Sequence, residues 1–160
     1  MESEITTYTR LLDRMREDVR EVLLGLYGAG LNWRPLPTDT NSVYALAQHS
    51  AWVEDWWIGS VAARAPFPHN WDNDEDLASS GDDPADLLVF LDQAAVRTAA
   101  FFATLDPDEL GARRERIRRD GSVDTRSVRY CIVHTIEHYS EHIGQMRLTR
   151  QLWEAGQNKP

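Results

Sequence analysis

Four stretches of the chain carry apolar residues at alternating spacings of three and four, the period of a helix that packs on one side. The first stretch runs from Ile5 to Leu26, with charged residues between the apolar ones. Gly25 weakens helical backbone and Pro35 cannot continue it. We therefore expect the first helix to stop around Tyr27.

The second and third stretches are bounded by capping residues and prolines. Asn41 or Ser42 can cap the second helix, which we expect to end before residues 66–82. That segment is rich in Asn, Asp, Gly and Ser, which is typical of a connection, and its length suits a crossover over the end of a bundle. Asp83 is expected to cap the third helix, and Pro107 to end it.

A dense arginine cluster follows between Gly111 and Asp120, where we expect a turn or a short hairpin. The fourth helix is predicted from near Asp124 to about Trp153. Neither a tandem repeat nor a coherent series of strands is present. The pattern therefore predicts an all-α fold, an antiparallel four-helix bundle with a long crossover loop between helices 2 and 3, in a single domain over residues 1–160.

The fourth helix carries two lines of residues about one position apart, roughly 100 degrees around the helix axis. One line is polar in its middle, and the other is apolar throughout: Ile132, Ile136, Tyr139, Ile143 and Met146. Two arrangements are open. Either the polar line faces a cavity and the apolar line packs elsewhere, as in a homodimer, or the apolar line is the core and the polar line lies at its margin.

Histidines recur at every fourth residue of the polar side, at His134, His138 and His142. This spacing puts them on one side of the helix, and two imidazoles one turn apart can bind the same divalent ion. A further ligand must come from another helix, and His49 in the middle of the second helix is the natural candidate. The alternative is a polar stripe at a helix margin without metal. His69 falls in the connecting segment and is expected to be solvent-exposed.

The amino-acid composition argues against some classes of binding partner. The chain has 17 basic and 26 acidic residues, and this formal net charge of −9 argues against nucleic acid and anionic membranes as partners. Cys131 is the only cysteine, so no intramolecular disulfide forms, and its apolar neighbours predict a core position. The acidic N-terminus and the lack of a long uninterrupted apolar run favour a cytoplasmic location.

Three elements of the sequence occur together in the order of a known family. They are Leu31-Asn-Trp33-Arg34-Pro35 after the first helix, Leu46-Ala-Gln-His49-Ser-Ala-Trp-Val-Glu54 in the second, and the run from His134 through His138 and His142 to Gly144 and Gln145. Their order and separation, along essentially the whole chain, resemble those of the motifs of the DinB-like superfamily, also called the DinB/YfiT-like metalloenzymes.

This resemblance implies a bundle that holds one divalent metal ion, zinc, nickel or iron, through His49, His138 and His142. His134 matches a position that the family often fills with histidine without using it as a ligand, so we expect it beside the ligands, as we do Gln145. Several members of the superfamily are transferases that use a low-molecular-weight thiol such as mycothiol or bacillithiol. A metal ion lowers the pKa of a bound thiol and so provides a nucleophile at neutral pH.

The resemblance therefore predicts a metal-dependent thiol S-transferase that acts on small electrophiles, or a related hydrolase. The alternative is a non-catalytic metal-binding or stress-response protein whose three-histidine site is structural or vestigial. Trp52, Trp56 and Trp57 could line the mouth of a substrate pocket, although packing is their more usual role. Two roles are open for the arginine cluster. It can be a solvated face that offsets the charge of the acidic loop, which is favoured, or it can bind the carboxylates of an anionic thiol. The cluster consists of Arg113, Arg114, Arg116, Arg118 and Arg119.

Overall fold

A computed structural model describes residues 3–70, 77–118 and 120–157. Residues 71–76 of the expected crossover and Arg119 of the arginine cluster lie outside this described part. The described residues are mainly helical, which confirms the predicted class, with a short two-stranded sheet in addition. The elements are α1 (Glu4–Leu23), α2 (Gly28–Asn32), α3 (Val43–Glu54), a π-helix (Asp55–Ala62), α4 (Ala85–Thr104), a 3-10 helix (Pro107–Gly111), β1 (Arg113–Ile117), β2 (Val123–Ser127) and α5 (Val128–Gln157).

Helix α1 ends at Leu23, earlier than the expected end near Tyr27. The cause is Gly25, whose φ of +77° lies in the left-handed region that glycine adopts without strain. The side chain of Arg150 on α5 donates to carbonyl oxygens in the last turn of α1, among them that of Val22 at 2.8 Å. The end of α1 is therefore satisfied by a side chain of α5 rather than by further helix.

Helix α3 starts at the expected cap and changes geometry in its continuation. The Ser42 hydroxyl accepts the backbone N–H of Ala45 at 3.1 Å. The backbone is π-helical over Asp55–Ala62. A π-helix departs from the 3.6-residue period of an α-helix. The heptad pattern therefore does not predict which side chains of this segment face the core. Trp57 is buried there, and Trp56 is partly exposed.

Helix α4 is, within the described part of the chain, the one helix long and apolar enough to cross a membrane by length and composition. This is weak evidence, because core helices of soluble proteins meet the same two criteria. Two of the three charged side chains of α4 form ion pairs, Asp92 with Arg20 and Arg97 with Asp55. The structure therefore gives α4 polar partners within the chain itself.

Strands β1 and β2 form the hairpin expected in the arginine-rich segment, in an antiparallel register that pairs Arg113 with Ser127 and Ile117 with Val123. The prediction that the last helix begins near Asp124 is wrong, since α5 begins at Val128. Residues 123–127 exchange backbone hydrogen bonds with β1 instead, which helical geometry would not allow. Asp124 is buried within the hairpin.

The apolar line of α5 belongs to the core of the chain itself. Ile132, Tyr139, Ile143 and Met146 are buried, and Ile136 packs against them. Helix α5 contacts α1, α3 and the π-helix, while α4 contacts α1 and α3. The apolar line is therefore in the core, as the second arrangement has it, but the polar line is buried as well at Thr135, His142 and Thr149, so it does not lie at the margin. The interpretation of this line as a dimer interface is wrong, because one chain covers it.

A carboxylate at the end of α3 joins the helices in the core. Glu54 is fully buried and accepts hydrogen bonds from Arg16 of α1 at 2.7 Å, Thr98 of α4 at 2.6 Å and Tyr139 of α5 at 2.9 Å. Burial, with the charge of Glu54, raises the pKa of the Tyr139 hydroxyl well above its ordinary value, so that this hydroxyl stays a donor. Glu54 thus fixes α3 relative to three other helices.

Candidate metal centre

Three histidines from two helices meet where α3 packs on α5. The Nε2 atoms of His49 and His138 lie 3.3 Å apart. Each of His49, His138 and His142 offers a ring nitrogen within 4.8 Å of the other two. The structure therefore brings together the same three side chains that the sequence had put forward as ligands.

The four-residue spacing on α5 places His138 and His142 one above the other, with ring centroids 4.4 Å apart. His142 is only 9% exposed. Its Nδ1–H donates to Oε1 of Gln145 at 2.9 Å, because an amide oxygen can only accept. This bond selects the tautomer in which Nε2 of His142 carries the lone pair, as a metal ligand requires.

The distance between His49 and His138 and the set of three imidazole donors fit a divalent ion. With Zn–N bonds of about 2.0–2.1 Å, two nitrogens of a tetrahedral site are about 3.3–3.4 Å apart. The separation of 3.3 Å between His49 and His138 agrees with that value. Three imidazole nitrogens suit zinc, nickel or iron and leave at least one position for another ligand. Without an ion, the same separation lets one ring donate an N–H to the other.

His134 lies one turn before His138 and outside the group of three converging nitrogens. Its ring stacks on Tyr130, with centroids 5.5 Å apart, and meets the edge of Trp57 at 4.8 Å. Its Nδ1 is 3.5 Å from Glu137. The ring also contacts that of His138, with centroids 5.9 Å apart, so His134 packs beside a candidate ligand, where the resemblance places it.

An open cavity of about 830 Å³ adjoins the histidines. Trp56 and Trp57 are part of its wall, although packing was the more usual role, whereas Trp52 stacks on His69 with centroids 4.7 Å apart. The cavity is therefore aromatic on one side and basic on the other. Its lining residues are His49, Val53, Trp56, Trp57, Phe67, Arg116, Ile117, Arg118, Asp120 and His138.

The prediction of a solvent-exposed His69 is wrong. Its side chain is only 9% exposed, and its Nε2 lies 2.6 Å from Oδ2 of Asp55. Asp55 is itself buried and accepts two hydrogen bonds from Arg97, at 2.7 and 2.6 Å. Sequence reasoning missed this group because it joins a loop, a π-helix and α4. The adjacent carboxylates Glu54 and Asp55 between apolar and aromatic residues were the available signal.

The arginine-rich hairpin forms the basic side of the cavity. Arg116 donates from Nε to Asp124 at 3.1 Å, and its guanidinium lies 4.4 Å from the ring centroid of Trp57. Arg118 and Arg126 pair with the same carboxylate at 3.3 and 3.2 Å. Burial opposes ionisation of Asp124, but the bonds from Arg116 and Arg118 hold its pKa below the ordinary value. The interpretation as a solvated face is wrong for Arg114 and Arg116, whose side chains are 12% and 24% exposed.

Cys131 takes the core position that the sequence predicts. It is fully buried, and burial raises the pKa of its thiol to about 11. At neutral pH this thiol is therefore protonated and shielded. Cys131 is therefore not a thiolate nucleophile for the cavity, whose lining does not include it.

Comparisons with known proteins identify the family of the chain. A family model described as mycothiol-S-transferase matches residues 7–155. No curated protein matches the chain in sequence. A crystal structure titled as a conserved protein of locus from Enterococcus faecalis is similar, with a TM-score of 0.75 and 19% identity over 95% of this chain and 98% of that one. At that identity the similarity shows the fold alone. Because the family model covers nearly the whole chain, the protein belongs to the mycothiol-S-transferase family, which confirms the resemblance to the DinB-like superfamily.

Proposed function

We propose that the protein is a divalent-metal-dependent S-transferase that joins a low-molecular-weight thiol to a small electrophile. His49, His138 and His142 hold the ion in this proposal. The observation that carries it is the convergence of these three ring nitrogens, within 4.8 Å of one another, beside an 830 Å³ cavity in a chain of this family.

The side chains around the site support that chemistry. A divalent ion at three imidazoles lowers the pKa of a bound thiol toward neutrality. Gln145 fixes the tautomer of His142, and the aromatic side chains Trp56 and Phe67 keep water away from one wall of the cavity. The thiolate sulfur forms a bond to the electrophilic carbon, the leaving group departs with its electron pair, and the thiol proton passes to solvent.

The test begins with protein purified without a nickel-affinity step. Bound metal is quantified by mass spectrometry, and consumption of monochlorobimane is followed with mycothiol, bacillithiol or glutathione. We expect about one equivalent of tightly bound metal and turnover with at least one thiol. A His138→Ala/His142→Ala variant should lose both properties.

His134→Ala is the matched control, since it removes a histidine of the same helix that lies outside the group of three. It should keep the metal. Far less than one equivalent of metal in the natural protein after reconstitution would contradict the proposal. Full occupancy without turnover on any thiol would favour the alternative, a non-catalytic metal-binding protein.

Several sequence predictions accompany this proposal. We take the helices to form a single antiparallel four-helix-bundle domain, and the protein to act in the cytoplasm on small molecules, without nucleic acid. The predicted homodimer would have to use a surface other than the apolar line of α5, which is buried.

A further inference from the structure

The hairpin beside the metal centre carries an excess of positive charge. Residues 113–126 contain six arginines and three carboxylates, in a chain whose formal net charge is −9. Arg116 and Arg118 line the same cavity as His49 and His138. A basic wall is unusual in so acidic a protein, and it faces the site where the chemistry is proposed.

The guanidinium groups of this wall are held in place before any ligand arrives. Asp124 accepts from Nε of Arg116 and pairs with Arg118 and Arg126, so one buried carboxylate positions three cations without neutralising them. Asp120 at the cavity rim accepts two hydrogen bonds from Ser122, at 2.9 and 2.6 Å. Ordered guanidinium groups bind carboxylate and similar anions at a lower entropic cost than mobile ones.

A short row of rings connects the basic wall to the metal centre. The guanidinium of Arg116 lies 4.4 Å from the ring centroid of Trp57, the Trp57 ring is 4.8 Å from that of His134, and the His134 ring is 5.9 Å from that of His138. Arg116, His49 and His138 also line one cavity, so a molecule bound there has a guanidinium and imidazole nitrogens among the groups around it.

We propose that one of the two substrates is an acid whose anionic group binds at Arg116 and Arg118. The inference rests on the proposed function, because thiol transfer defines the two molecules that share the cavity. The anionic group can belong to the thiol or to the electrophile. The experiment below distinguishes these two sources.

Calorimetric titration of metal-free protein tests the binding of two matched pairs that differ only in charge. The thiol pair is N-acetylcysteine and N-acetylcysteine amide, and the electrophile pair is 4-(chloromethyl)benzoate and 4-(chloromethyl)benzamide. We expect the acid of at least one pair to bind about tenfold more tightly than its amide, with a preference that weakens as salt is raised. The pair that shows the preference identifies the substrate that carries the charge.

Variants assign the preference to the basic wall. Arg116→Gln and Arg118→Gln should each reduce the difference between acid and amide. Arg113→Gln should leave it intact, because Arg113 is an exposed arginine of the same hairpin that is not part of the cavity lining. Circular dichroism of each variant verifies the helical fold.

Equal affinity for acid and amide in both pairs overturns the inference, as does a preference that survives both Arg116→Gln and Arg118→Gln. The titration needs neither metal nor turnover. A failure of the proposed transferase activity would therefore leave the charge preference in place, and the two failures can be told apart.

Discussion

Gln145 accepts the Nδ1–H of His142 at 2.9 Å, and in doing so it orients the ring whose other nitrogen faces the candidate metal centre. The two residues are one helical turn apart on α5, so the contact is built into a single rigid element. Partners of this kind fix both the tautomer and the direction of a metal-binding imidazole. A prediction about metal affinity follows from this contact.

Replacing Gln145 by Leu should weaken metal binding roughly 10- to 100-fold, because the His142 ring loses the acceptor that selects its tautomer. Competition against a chromophoric chelator measures the change. Gln151→Leu is the matched control, since Gln151 is an exposed glutamine on the same helix. Equal affinities of the natural protein and Gln145→Leu would show that Gln145 does not support the site.

Metal binding should raise the melting temperature, since the ion joins α3 to α5 only in the folded chain. At a free metal concentration about 100 times the dissociation constant, the stabilisation is about 2.7 kcal/mol. Thermal unfolding with and without zinc, nickel or iron(II) measures it. His49→Ala should abolish the shift and His134→Ala should retain it, and the reverse result would reassign the ligands.

Replacing Arg16 by Met should destabilise the protein by about 3–5 kcal/mol, because it leaves the carboxylate of Glu54 buried without its cation. Urea unfolding measures the loss. An added Glu54→Gln substitution should recover part of it by removing the charge. Arg14→Met is the control on the same helix, because the pair of Arg14 with Asp18 is exposed on the arginine side and should cost less than about 1 kcal/mol.

Cys131 should react extremely slowly with Ellman's reagent in the native protein. With a thiol pKa of about 11, the thiolate fraction at pH 8 is about one in a thousand, and burial hinders access further. The rate should rise as pH approaches 11. Because burial raises this pKa above 9.0, higher pH favours the unfolded chain, and stability should fall through this range. Rapid stoichiometric labelling at pH 8 would contradict the buried position.

The sequence predicted the features that depend on local period and spacing. The helices α1, α3, α4 and α5 follow from the apolar pattern, and the alignment of His138 with His142 follows from their four-residue spacing. The position of His49 was a reasoned choice that only the packing of α3 on α5 could test. The structure places its Nε2 3.3 Å from that of His138, and its role as a metal ligand stays a prediction.

The features that the sequence did not predict depend on contacts between distant segments. Pairing with β1 decides that residues 123–127 are strand rather than helix. The π-helical turn of Asp55–Ala62 breaks the period from which burial is inferred. The contact of His69 with Asp55 and the stacking of Arg116 on Trp57 each join segments that are far apart in the chain or differ in structure. The sequence alone assigned both side chains to solvent.

The hydrogen bonds of Glu54 bear on how the protein loses its structure. If α1, α4 or α5 unfolded alone, the Glu54 carboxylate would lose one of its hydrogen-bond donors. Its buried negative charge would then be less well stabilised inside the remaining core. Partial unfolding is therefore penalised, and hydrogen exchange of the slowest amides in α1, α3, α4 and α5 should report a single opening free energy. Because α3 and α5 also carry the three histidines, an ion bound there would slow that shared opening event across the whole protein.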